Sequence, residues 1–152
     1  MPPARAYAIE AFQNDGYAVI KALVPADRVD QLRDHLARRE KAGTKLMAGD
    51  EQLSGTPNVY GDAQVDALMQ DIKPMIKAHA ALEVHPTYSF ARIYKKGDIL
   101  EPHRDRSTYE ISISLNLGPE SDTPWALNIV DENALSPRCR SPAMRFYIRV
   151  QS

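Results

Sequence analysis

The residues best suited to chemistry lie in one run, Arg92-Ile-Tyr-Lys-Lys-Gly-Asp-Ile-Leu-Glu-Pro-His-Arg-Asp-Arg106. His103 and Asp105 are two positions apart. On an extended backbone such residues point to the same side, roughly 6.6 Å apart along the strand. An imidazole and a carboxylate so placed converge on one cation, and make two parts of a two-histidine, one-carboxylate metal triad. Arg92 shares strand parity with Tyr94, so the two reach the same side. Arg92 then either faces inward toward an anion or is a surface or salt-bridged arginine. His103-Arg104-Asp105 also looks like a kinase catalytic loop, but that pattern needs Leu and Asn where Arg106 and Glu110 stand.

The elements that must position this run follow from periodicity. Residues 4–15 predict a short amphipathic helix ended by Gly16, and Tyr17 to Leu23 predict a strand from their β-branched and aromatic content. Pro25 opens a helix carrying Val29, Leu32 and Leu36, which Gly43 stops. Residues 44–62, with three glycines and Pro57, predict a long loop. Val65, Leu68, Met69, Ile72, Met75 and Ile76 form the apolar stripe of a further helix, which Pro74 should kink or split. After Pro86 the period changes to two. Strands are expected over 87–94, over 109–117 with Ser112, Ser114 and Asn116 alternating against apolar residues, over 125–130 and over 144–150. Ser112, Ser114 and Asn116 line either a barrel mouth or a solvated face, and Trp125 belongs to the core. His35 and His79 on helices, and His85 in a turn, are expected to be surface or capping histidines.

Composition narrows the classes. The chain has 152 residues, 19 basic and 20 acidic side chains, net charge −1, and 43% apolar residues. These values predict one domain, exclude disorder and give no global field for nucleic acid or an anionic membrane. The single Cys139 excludes a disulfide framework. No apolar run approaches a membrane span and the N-terminus lacks a signal-peptide pattern, so a cytoplasmic protein is expected. The predicted fold is α+β: residues 1–86 as mainly helical support, 87–131 as barrel strands, and 132–152 as an atypical tail.

The stretch TYSFARIYKKGDILEPHRDRSTYEISISLNLG, together with AFQNDGYAVIKALVPADRVDQLRDHL near the start, resembles the Fe(II)/2-oxoglutarate-dependent dioxygenases of the prolyl-hydroxylase-like group. The resemblance covers most of residues 8–131. It implies helices packed on a double-stranded β-helix (jelly-roll) barrel, incomplete at its C-terminus. It implies Fe(II) held by His103 and Asp105, and 2-oxoglutarate as cosubstrate beside Tyr94 and Arg92. The second substrate, besides O2, is an unknown small molecule or protein side chain. The family's last ligand, a histidine on a late strand, has no counterpart, because no histidine follows His103. The Arg or Lys that follows it in the family, and the preceding Pro-Gly-Asp segment, are absent too. The end, SPRCRSPAMRFYIRVQS, has four arginines and no acid. One explanation is a displaced reading frame: regrouped codons permit Pro-Gly-Asp-Ala-Val-Leu-Tyr-Pro-Gly-Ser-Glu. The other is natural truncation or divergence. Either way, weak iron binding and little turnover are expected. The rival readings are a non-catalytic barrel that binds a ligand, and an interaction module built on an exposed barrel edge.

Overall fold

A computed structural model describes residues 4–43, 46–81, 83–103, 111–118, 127 and 145–151, with the backbone alone for 4–8, 48 and 145–151. Three helices, α1 (Ala4–Asp15), α2 (Ala26–Lys41) and α3 (Ala63–Ala80), pack beside five strands: β1 (Met47–Gly49), β2 (Ser54–Tyr60), β3 (His85–Arg92), β4 (Ile111–Asn116) and β5 (Arg145–Gln151). The strands form one sheet in the order β1-β2-β3-β5-β4, with every neighbouring pair antiparallel.

The helical stripes do what their spacing predicts, except that Met75 is exposed. Leu32 and Leu36 of α2 meet Val65, Leu68, Met69, Ile72 and Ile76 of α3 in a core completed by Val59 of β2, Ala91 of β3, and Ile93 and Leu117 just past the ends of β3 and β4. Each of these larger side chains contributes about 1.5–3 kcal/mol through removal from water. Pro74 neither ends nor divides α3, which runs unbroken to Ala80. The first turn of α3 is closed by Asp62, whose side chain accepts from the amides of Gln64 and Val65.

Two expected elements come out differently. Tyr17 to Leu23 is not a strand. Its side chains line a cleft of about 730 Å³ with residues of α2, α3 and β4, on the helical side of the sheet, where β propensity has no ladder to join. Residues 44–62 are not a loop, because they contain the β1–β2 hairpin. Their breakers serve the turn instead: Gly49 has φ +93°, and a Cβ there would meet the backbone of Leu53, Ser54 and Gly55 within 3 Å. Pro57 sits in β2 without an N–H, yet its carbonyl accepts from Ile93. His85 begins β3 rather than lying in a turn. The expected strand at 125–130, with Trp125, lies outside the described residues apart from Leu127.

Candidate active site

Strand parity on β3 separates two faces. Ala91 and Ile93 enter the helix-packed core. Arg92 therefore points to the opposite face, with Tyr88 and Phe90 behind it and Tyr94 ahead. Register carries that face onto β2, where Asn58 pairs with Arg92 and Tyr60 with Phe90. The rings of Tyr60 and Phe90 lie 4.5 Å apart and those of Tyr60 and Tyr88 5.6 Å apart.

Arg92 is fully buried, so it is not the surface arginine of the alternative reading. It is salt-bridged all the same, because its Nη2 donates to Asp50 in the turn after β1, 42 residues away in sequence. Gln52 Oε1 lies 3.4 Å from the same nitrogen. The guanidinium carbon is 5.0 Å from the ring centre of Phe90 and 5.7 Å from that of Tyr94, within reach of cation–π attraction. Among the described residues, Nε and Nη1 of Arg92 are buried and have no hydrogen-bond partner, nor has Oδ1 of Asn58. Two unfilled donors on a buried cation fit the acceptor oxygens of an anion.

Asp50 is fixed in its turn. Its Oδ1 accepts from the amides of Gln52 at 2.9 Å and Leu53 at 3.0 Å. Burial raises its pKa, but the Leu53 amide, the Arg92 charge and the Gln52 amide together hold the carboxyl below its ordinary 3.8.

The chain then turns toward His103. Lys95 to Asp98 close a turn in which Asp98 Oδ2 accepts from the Lys95 amide at 2.8 Å and from the buried Thr56 hydroxyl at 2.9 Å. Gly97 supplies the φ of +96° that the turn needs. This clamp holds the start of the His103 segment against β2. His103 itself is exposed, and its Nδ1 lies 2.9 Å from the Glu101 carbonyl. A carbonyl only accepts, so Nδ1 carries a ring proton. Asp105 lies outside the described residues, and among those described no three His, Cys, Asp or Glu side chains gather to hold a metal ion.

The remaining expectations divide. Ser112 and Ser114 are exposed, in keeping with a solvated face. His79 bonds its own helix through the Met75 carbonyl. His35 is more than a surface residue, because it reaches Asp62 at 2.9 Å. Sequence reasoning missed Asp50, Gln52, Asn58 and the Thr56–Asp98 clamp. The one local signal was Asp50 after Gly49, a pair that favours a side chain closing its own turn. Among the described residues no helix is long and apolar enough to cross a membrane.

No protein-family profile matches the chain. No curated protein matches it in sequence. Among solved structures it is similar to a Pseudomonas putida prolyl-4-hydroxylase, with 18% identity and a TM-score of 0.65 over 97% of this chain and 96% of that one. At that identity the likeness establishes the fold alone. The described residues supply helices and one antiparallel sheet of that fold, and a complete two-sheet barrel is not seen among them. The chain thus has a mixed helix-and-sheet fold similar to that of a prolyl-4-hydroxylase.

Proposed function

We propose that this chain is an oxygenase domain that uses Fe(II) and 2-oxoglutarate to hydroxylate a small molecule or a protein side chain. The observation that carries the reading is Arg92: a buried guanidinium with two donors unfilled among the described residues, beside Tyr94, on the strand that leads into His103-x-Asp105. The similarity of fold to a prolyl-4-hydroxylase supports it. In this reading Arg92 takes the far carboxylate of 2-oxoglutarate and the ring of Tyr94 borders that end of the site. His103 through Nε2, and Asp105, hold the iron. When bound, iron and the oxoacid supply the oxidising chemistry with O2. Asp50 keeps Arg92 in place, and the Thr56–Asp98 clamp fixes the turn before the metal motif. A two-ligand set binds iron weakly, so turnover is slow.

Succinate release from 2-oxoglutarate, measured with Fe(II) and ascorbate, tests this. A low rate is expected, abolished by His103→Ala together with Fe(II) binding. If His103→Ala leaves both metal binding and succinate release unchanged, the oxygenase reading falls. If 2-oxoglutarate binds tightly with no metal dependence and no turnover, the chain is a binding module.

A further inference from the structure

The unusual property of the Arg92 site is a surplus of donors without a surplus of charge. Among the described residues Nε and Nη1 have no acceptor, yet the guanidinium charge is already balanced by Asp50 at Nη2. Asp50 cannot swing away cheaply, because the Gln52 and Leu53 amides hold its other oxygen. Gln52 adds a neutral acceptor on the same nitrogen. A ligand that fits must bring acceptor oxygens and little extra charge. A carboxylate does so with one negative charge. Inorganic phosphate, whose second proton leaves near neutral pH, brings up to two and would meet the Asp50 carboxylate across the same small cation.

We infer that the tip of the β1–β2 hairpin, through Asp50 and Gln52, sets the anion specificity of Arg92, admitting a carboxylate and turning phosphate away. The inference rests on the reading of Arg92 as an anion-binding residue given above. Asp50 acts through Arg92 as a positioning and selecting group, and need not touch the anion.

The test uses glutarate and inorganic phosphate as probes, titrated calorimetrically into the full chain without metal. The unaltered protein should bind glutarate at least about tenfold more tightly than phosphate. Asp50→Asn removes a like charge that hinders the dianion more than the monocarboxylate end, so this preference should shrink by about tenfold. Gln52→Glu should do the reverse, weakening both anions and phosphate more. Gln52 is exposed, so that variant keeps the test usable if Asp50→Asn folds poorly. Equal shifts of both anions in both variants, with Arg92→Met still sharply weakening glutarate binding, would overturn the hairpin's role and leave the Arg92 reading standing. Undiminished glutarate binding by Arg92→Met, or binding of neither anion by the unaltered protein, would overturn the Arg92 reading and this inference with it.

Discussion

Asp62 and Arg92 are both buried charges paired across long stretches of sequence, but one cluster is closed and the other open. Asp62 is 2% exposed. It accepts from the Gln64 and Val65 amides at 2.9 and 3.2 Å, from His35 Nε2 at 2.9 Å, and from Arg39 Nη1. Both oxygens are filled, and the cluster pins α2 to the start of α3. Arg92 is 0% exposed and paired through Nη2 alone among the described residues. Buried polar groups are almost always satisfied, so a closed cluster reads as architecture and an open one as a place for a ligand. The contrast yields predictions that separate stability from binding.

The largest expected effect is on folding. Asp62→Ala removes both the cap of α3 and the partner of two cations. Its cost is about 2–3 kcal/mol, moderated because His35 and Arg39 can reach water. Urea unfolding measures it, and glutarate binding should not change. A loss of binding without a loss of stability would reverse the roles assigned to the two clusters. Arg92→Met should act mainly on binding. It removes two unfilled buried donors but leaves the Asp50 carboxylate without its cation, so a stability cost of about 1–3 kcal/mol is expected, softened because Asp50 is partly exposed and keeps its two amide hydrogen bonds. Binding should fall by about 2 kcal/mol or more, roughly thirtyfold, because a charge-assisted hydrogen bond is lost.

Acid should act on both clusters in the same direction. Burial raises the Asp62 pKa, but hydrogen bonds from His35 and Arg39 and from the Val65 amide hold it below the ordinary 3.8. Asp50 is lowered likewise. A carboxyl whose folded pKa lies below its unfolded one adds stability that is complete above the unfolded value. That stability is lost as pH falls through the folded one. Urea midpoints should therefore hold steady down to about pH 4 and drop below it. Asp62→Asn should flatten that acid limb. An unchanged limb in Asp62→Asn would mean that other carboxylates set it.

The contrast also explains which parts were legible in the sequence. Leu32, Leu36, Val65, Leu68 and Ile72 announce α2 and α3 because a helix buries one face at a local period. The same holds for β3, β4 and β5, where alternation reaches the ladder, and parity alone places Arg92 beside Tyr94. The hairpin was hidden because Gly49, Gly55 and Pro57 break local patterns while meeting tertiary needs. The tie between Asp50 and Arg92 spans 42 residues, and no local period encodes such a pair. Tyr17 to Leu23 fails for the converse reason: its β propensity is real, but its place is among helices. The His103-x-Asp105 spacing was legible, but Asp105 lies outside the described residues, and among those described no three His, Cys, Asp or Glu side chains gather.

The smallest expected effect tests the open cluster at its neutral edge. Asn58 is buried opposite Arg92 in the β2–β3 register, and among the described residues its Oδ1 has no hydrogen-bond partner. Its Nδ2 makes only a long bond of 3.4 Å to the Thr56 carbonyl. An unsatisfied buried oxygen costs about 1–3 kcal/mol, and a long neutral hydrogen bond returns little of it. Asn58→Leu, close to it in shape, should therefore leave stability unchanged or raise it by up to about 1 kcal/mol, while weakening glutarate binding less than Arg92→Met does. A stability loss of about 2 kcal/mol would show instead that Oδ1 is satisfied in solution, and would move Asn58 to the closed, architectural side of the comparison. The unchanged-or-raised result would mark Asn58 as a residue kept at a cost to stability, as expected where a buried polar group waits for a ligand.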